Sequence, residues 1–508
     1  MVSSIPKLLS DRAAANPDAP FLTVKNDTWT YCQIARLTSI LAFRLFDGGV
    51  TEGNVVACRL DNCIEYLLTW FACEALGAVF FPLNHLLPDT AAEKLLSNMN
   101  AQVLIVDDTL STTSLQFSKR SAKKLLQRSE ISPDSLTASK GIPDVVCTTP
   151  RSNHALPAKI LTTSGTTGIP KAVIWSRLCE WTWAAAYGTE LLPLESHDRV
   201  YSCLPLTHVT CQGTVAAALL NGAHAIIDPA FDPFTFWKRI RSHDVRMFTC
   251  VGTILESLAS RPHSVKDANN PVERIVTAGT PPRIWKDFEQ RFGCTIMETW
   301  GQTETASCWF MPRQLPMDPG TIGEPVESRF RIRIVNSAGT DASDGEDGEL
   351  MIQPTKPHLM ADRYVGDMES GSWNADGWYA TGDIIRRESG AFRFRARTRE
   401  VIRRHGEMIA PSLIEDVALS HPHVLNAAAV AVRDERFDGD EAIKLCIIPR
   451  WPAVWKTSSL TAYLSSRLDR RLLPTWISIY SEFPLTPSTR VRRVALAEDS
   501  AVRIRCHY

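Results

Sequence analysis

The sequence carries no surplus of either charge: 55 Lys and Arg face 56 Asp and Glu, for a formal net charge of -1. Nucleic acids and anionic membrane surfaces are bound through excess positive charge, so neither is an expected partner. No apolar run is long enough to cross a bilayer, and the opening MVSSIPKLLSDRAAANPDAP lacks the basic-then-apolar order of a secretory leader. Cysteine is present, at 13, yet none lies in a Cys-x-x-Cys pair or in a Cys/His cluster with metal-ligand spacing. Apolar surroundings, as for Cys58 in VVACRL and Cys446 in KLCII, fit buried small hydrophobes in a reducing compartment. The ending Cys506-His507-Tyr508 is not the peroxisomal tripeptide, so the expected location is cytoplasmic. Internal repeats are absent as well.

What remains is a globular composition, 44% hydrophobic and 22% charged, over 508 residues. At roughly 150 residues per domain, two or three packed lobes are expected. Ile34, Leu37, Leu41 and Leu45 share one helical face, the solid run Val55 to Leu60 follows, and Ile64, Leu67, Leu68, Phe71 and Ala75 recover the helical period up to Gly77. Val79 to Phe81 and Val103 to Val106 read as buried strands, and the alternation resumes from Arg199 to Glu298. Helices between solid apolar strands predict an α/β fold of parallel-rich sheets covered on both faces. Residues 109–140, rich in Ser, Thr and Lys, read as a surface excursion, and NSAGTDASDGEDGE from Asn336 to Glu349 as hairpin turns. After Arg397 short strands and helices restart, enough for a small second domain.

The most informative string is Leu161 to Lys171, LTTSGTTGIPK. It follows the apolar start Lys159-Ile160-Leu161, so a strand runs into a hydroxyl-rich loop. Such a loop offers backbone N–H groups, the hydroxyls of Thr163, Ser164, Thr166 and Thr167, and the Lys171 ammonium to a polyphosphate, while Gly165 and Gly168 permit close approach. A Walker A loop is excluded, since only two residues separate the glycines and Lys171 precedes Ala172.

This string resembles the phosphate loop of the adenylate-forming (AMP-binding) superfamily, which includes acyl-CoA synthetases, aryl-CoA ligases, luciferases and the adenylation domains of peptide synthetases. Ala278-Gly279-Thr280-Pro281 is similar to the family's adenine-side turn, Trp300-Gly301-Gln302-Thr303-Glu304 to its aromatic-Gly-x-Thr-Glu motif, and Tyr379-Ala380-Thr381-Gly382-Asp383 to its (Tyr/His)-x-Thr-Gly-Asp motif. Arg397-Thr398-Arg399-Glu400, with Ile402 and Gly406, resembles the hinge segment. The resemblance implies a large N-terminal domain over 1–396, a hinge at 397–402 and a mobile α+β domain over 403–508. It also implies ATP and Mg²⁺ as cofactors and coenzyme A as co-substrate. Under it, Trp300 stacks on adenine, Thr303 donates to the α-phosphate, Glu304 holds the metal, Asp383 accepts the ribose hydroxyls and Arg397 adds positive charge. Singly, a Glu or Asp after a turn is more often a surface residue and a Trp a core residue; the shared order of the motifs reverses that.

In Leu204 to Gly213, LPLTHVTCQG, His208 matches the histidine the family places beside the acyl pocket. The Phe-Asp motif that accompanies amino-acid pockets is missing, which favours a plain carboxylic acid. Cys211-Gln212 and Asp440-Glu441-Ala442-Ile443-Lys444 look closest to carnitine/crotonobetaine-type CoA ligases. One departure stands out: in Pro484 to Arg490, PLTPSTR, Thr489 takes the place of the family glycine and Arg490 that of its catalytic lysine. Arginine keeps the charge, but its planar fork does not replace a compact ammonium without geometric change. Arg492 and Arg493 read as a solvated basic face, with a share in supplying the adenylation charge as the alternative.

The expectation is an acid–CoA ligase working through an acyl-adenylate, with Arg490, Glu304, His208 and Lys171 in catalysis. Only 18 residues follow Arg490, so the thiol acceptor is expected from outside, as coenzyme A or a carrier-protein phosphopantetheine. A non-catalytic nucleotide- or acyl-binding protein is the alternative of another class.

Overall fold

The computed structural model describes residues 4–109, 122–138, 153–163, 171–306, 310–365, 373–374, 376–404, 407–434, 441–485, 491–499 and 503–506. Two compact units emerge: Met1–Arg331 with Pro354–Gly371, and Ile332–Gln353 with Ser372–Tyr508. The segment 397–402 lies inside the second unit.

The first unit begins as its periodicity predicts. The helix Tyr31–Asp47 starts at Thr30, whose hydroxyl accepts the Gln33 N–H while the Gln33 side chain accepts the Thr30 N–H, a reciprocal cap. Ile34, Leu37, Leu41 and Leu45 are buried on one face. The helix Ile64–Leu76 is buried nearly all round, which is why its apolar pattern is dense, and Gly77 ends it at φ +66.

Among the described residues this unit holds two seven-stranded sheets. One runs in the order Thr295–Glu298, Arg274–Thr277, Met247–Thr249, Arg199–Ser202, His224–Ile227 and Pro20–Val24, all parallel, closed by the antiparallel Asp27–Thr30. The other has parallel strands Pro157–Thr163, Val79–Pro82, Val55–Arg59, Ala101–Val106 and Ala122–Gln127, extended antiparallel by Lys171–Ser176 and Arg363–Tyr364. The α/β class with parallel-rich sheets is thus observed. One part of the sequence reading needs correcting: within 109–140 the segment Ala122–Gln127 is an edge strand. An edge strand pairs on one side only and needs no continuous apolar run, so AKKLLQ gave no strand signal.

In the second unit, Phe330–Val335, Asp347–Pro354, Tyr379–Glu388 and Ala391–Arg397 form a four-stranded sheet, with the Gly-rich turns between the first two as expected. A second four-stranded sheet comprises Val424–Arg433, Glu441–Pro449, Trp476–Ile479 and Ile504–Arg505. The helices Ser412–Leu419 and Thr457–Ser465 pack on it through Ile414, Ala418, Leu460 and Leu464. Of the described cysteines, Cys32 is exposed, Cys506 half-buried and the others buried, all as free thiols.

Candidate active site

Parallel strands leave their loops at one edge, and ligands of open α/β sheets bind outside the carboxyl ends of the strands. The predicted motifs of the first unit lie at such ends. His208 follows Arg199–Ser202, the Ala278–Pro281 turn follows Arg274–Thr277, and Trp300–Glu304 follows Thr295–Glu298. In the other sheet, Thr163 ends its strand and pairs with Lys171, which begins the next. Ser164, Gly165, Thr166 and Thr167 lie outside the described residues.

Side chains fasten the Thr303-Glu304 segment to this second sheet. Trp175 Nε1 donates to the Thr303 carbonyl at 2.8 Å, and the Tyr364 hydroxyl donates to Glu304 Oε1 at 2.8 Å. The Ala361 N–H donates to the Glu304 carbonyl at 2.9 Å. Lys171 Nζ lies 4.9 Å from the centroid of the Tyr364 ring, a cation–π contact. Lys171, Tyr364 and Glu304 therefore form one continuous cluster. Sequence reasoning missed Tyr364, because the two-residue strand that carries it has no periodic signal. Trp300 is buried, pairs by backbone with Phe310 and sets its ring edge-on to Phe310 at 5.5 Å.

Gly279 adopts φ +79, and its turn is cradled from two sides. The Gly252 N–H donates to the Ala278 carbonyl at 3.1 Å, and a Cβ at Gly252 would collide with the Gly279 carbonyl. From the other side the buried Glu298 carboxylate accepts the N–H of Gly279, and at 3.2 Å that of Thr280. Thr280 also donates its hydroxyl to Thr277 Oγ1, and Pro281 precedes the helix Pro282–Phe292. Burial pushes the Glu298 carboxyl up to about 7, against the lowering effect of those hydrogen bonds.

The raised value carries a sign. A carboxyl whose folded-state value exceeds the ordinary 4.5 stabilises the fold fully below 4.5, and loses that contribution as pH rises through about 7. Melting temperature should therefore fall between pH 5 and pH 8 by more in the parent than in Glu298→Gln, which cannot ionise. Parallel melting curves for the two proteins across that range would refute the assignment.

His208 is the N-cap of the helix Val209–Asn221, its Nδ1 accepting the Thr210 N–H at 3.3 Å. In the second unit Asp383 is buried, paired across the strands with Arg397, whose Nε lies 3.2 Å from Oδ1. Gly382, at φ +70, donates its N–H to Glu349 Oε1 at 2.9 Å, and the Thr381 hydroxyl donates to the Leu350 carbonyl. Arg490 lies outside the described residues. Arg493 corrects the sequence reading: rather than part of a solvated face, it pairs with Glu415 and with Glu400, at 3.4 Å, and donates to the Ala429 carbonyl at 2.9 Å. Charge spacing along a chain cannot reveal that carboxylates from two other segments meet it.

Among the described residues no cluster of three or more His, Cys, Asp or Glu could hold a metal by itself. A nucleotide-handling α/β enzyme is the class these parts define. The chain belongs to the AMP-binding enzyme family, which matches residues 9–362. It is 30% identical over 504 residues to the sulfoacetate–CoA ligase of Cupriavidus necator, spanning 96% of each chain. Identity is 28% to the indoleacetate–CoA ligase of Aromatoleum aromaticum, over 91% of this chain and 92% of that one. The crotonobetaine/carnitine–CoA ligase of Escherichia fergusonii, the subgroup singled out from the sequence, stands at 25% over 92% and 93%. The fold matches a benzoate CoA ligase from Burkholderia xenovorans with a TM-score of 0.86 at 21% identity, covering 98% of this chain and 100% of the other. No described helix is long and apolar enough to cross a membrane.

Proposed function

We propose that the chain is an AMP-forming acid–CoA ligase. The observation that carries the reading is the Lys171–Tyr364–Glu304 cluster beside the paired strand ends Thr163 and Lys171, in a family member similar over nearly its whole length to named CoA ligases. A carboxylate oxygen of the acid attacks the α-phosphorus of ATP, and the bond to the β-phosphate oxygen breaks. Acyl-adenylate and pyrophosphate result. The CoA thiolate then attacks the acyl carbon and AMP leaves. No protein nucleophile is needed; the work is positioning and charge stabilisation.

Glu304 holds Mg²⁺ in this reading, with Tyr364 fixing its carboxylate; magnesium, when bound, neutralises charge on the phosphates. Lys171, Thr163, Ser164, Gly165, Thr166 and Thr167 receive the phosphates, and Thr303 donates to the α-phosphate. Gly279, Thr280, Pro281 and Trp300 flank adenine, Asp383 takes the ribose hydroxyls, Arg397 adds charge nearby, and His208 faces the acid. Arg490 does the work of the family lysine. Coenzyme A is the acceptor in preference to a carrier protein, supported by the CoA-ligase names of the relatives. No nucleic-acid partner is proposed.

The substrate is a small carboxylic acid. The relatives' acids differ widely, so the test is pyrophosphate release by the purified protein against a panel including sulfoacetate, indoleacetate, benzoate and crotonobetaine, with CoA or a phosphopantetheinyl carrier. Acid-dependent release with thioester formation only on CoA is expected. ATP binding without acid-dependent release would instead favour the non-catalytic alternative.

The division into 1–396, a hinge at 397–402 and 403–508 belongs to the same proposal. The Glu400 N–H donates to the Arg397 carbonyl at 2.8 Å, so Glu400→Pro removes that bond and fixes φ within the hinge. One half-reaction should then suffer far more than the other when acyl-adenylate and thioester formation are timed separately. Equal losses would mean general misfolding or a hinge that does not turn.

A further inference from the structure

A lysine stands inside the apolar strand Pro157–Thr163, which precedes the hydroxyl-rich string in the sequence. Lys159 is fully buried, in register with Phe80 on one side and Trp175 on the other. Its ammonium pairs with Glu180 Oε1 at 2.6 Å, donates to Gln212 Oε1 at 2.7 Å and lies 4.1 Å from the centroid of a Trp70 ring. The Trp183 ring centroid lies 5.1 Å away, so the ammonium is surrounded by a carboxylate, an amide oxygen and two aromatic faces. Burial works to raise the Glu180 carboxyl, but Lys159, Glu74 and Trp70 hold it below the usual carboxylate range, so it is the ionised partner.

Replacing a buried ion pair by well-packed apolar side chains is often neutral or stabilising, so stability alone gives no reason for a lysine here. Its effect on Gln212 does. An ammonium only donates, so it forces the amide oxygen of Gln212 to face it and the NH₂ to point away. That NH₂ donates to the Leu206 carbonyl at 2.8 Å and to the Tyr66 hydroxyl at 3.0 Å, while Tyr66 donates to the same carbonyl at 2.7 Å. From the opposite side, the Leu206 N–H donates to Asn62 Oδ1 at 2.7 Å, and Asn62 Nδ2 donates to the Leu204 carbonyl at 2.9 Å. Both polar groups of the Leu206 backbone, two residues before His208, are therefore held by buried side chains.

The geometry points to Lys159 as a positioning residue for the acid-side turn: by setting the direction of the Gln212 amide it fixes Leu206, and through Leu206 the placement of His208. This inference rests on the proposed reading of His208 as facing the acid. It couples the strand that delivers the phosphate loop to the helix that His208 heads, and Lys159 itself touches no substrate.

The decisive variant in the full chain is Gln212→Glu, whose carboxylate still pairs with Lys159 but cannot donate to Leu206. A second, Lys159→Met with Glu180→Met, removes both charges together so that neither is left unpaired. With the panel acid that releases pyrophosphate fastest, KM for the acid should rise about tenfold or more in each, with KM for ATP changed less than about twofold, as expected for misplacement of one binding group. Hydrogen exchange of peptides covering 204–210 should accelerate in Gln212→Glu. An unchanged KM for the acid in folded Gln212→Glu overturns the inference, as does an equal rise in both KM values or a change in melting temperature alone. If the paired variant does not fold, Gln212→Glu decides. His208→Ala, run in parallel, separates the two claims: an unchanged KM for the acid there removes the acid-site reading itself.

Discussion

Replacing Glu304 by Gln should leave the protein folded while Mg-ATP-dependent pyrophosphate release falls by more than about 100-fold, the scale of losing one preorganised charge contact in a phosphoryl-transfer site. The amide keeps the volume, and its carbonyl oxygen can still accept the Tyr364 hydroxyl that now donates at 2.8 Å. The link to the Arg363–Tyr364 strand therefore survives, and the change isolates the lost negative charge. Raising the magnesium concentration should recover part of the rate if weakened metal binding is the cause. Circular dichroism would verify the fold, and pyrophosphate release at the parental rate would remove Glu304 from the metal-binding role.

If Arg490 does the work of the family lysine as proposed, Arg490→Ala should cut acyl-adenylate formation by about two to three powers of ten, the scale of losing one positive charge on the developing pentavalent phosphate. Thioester formation from supplied acyl-adenylate should be nearly spared, since in the resembling family this segment has swung away by the second step. Arg490→Lys should retain or raise adenylation, an ammonium being the group the family geometry is built around. The two half-reactions would be timed separately by pyrophosphate release and by CoA consumption. Adenylation at the parental rate in Arg490→Ala would transfer the role elsewhere. Arg493 is a poor substitute, because its guanidinium is committed to Glu415, Glu400 and the Ala429 carbonyl.

Local patterns made much of the molecule legible before its structure. Dense apolar runs at Val55–Arg59 and Ala101–Val106 are strands because both faces are covered, and a stretch with no polar side is readable from composition alone. The helix Tyr31–Asp47 is readable because its cap and its apolar face both lie within one short segment. Ordered motifs proposed Glu304, Asp383, Gly279 and His208 as site residues through family resemblance, since each sits in a short string. Only the tertiary structure decided which groups meet from afar. Tyr364 reaches Glu304 across 60 positions, and Lys159, read from the sequence as the start of an apolar strand, reaches Gln212 across 53. Glu298 likewise lies 19 residues beyond the Gly279 amide it accepts. Such partners satisfy one another's hydrogen-bonding demand only after the sheets have assembled, and burial strengthens the demand by removing the water that would otherwise meet it. A linear pattern records which side chains prefer the interior, whereas the identity of a buried polar group's partner is set by strand order and register.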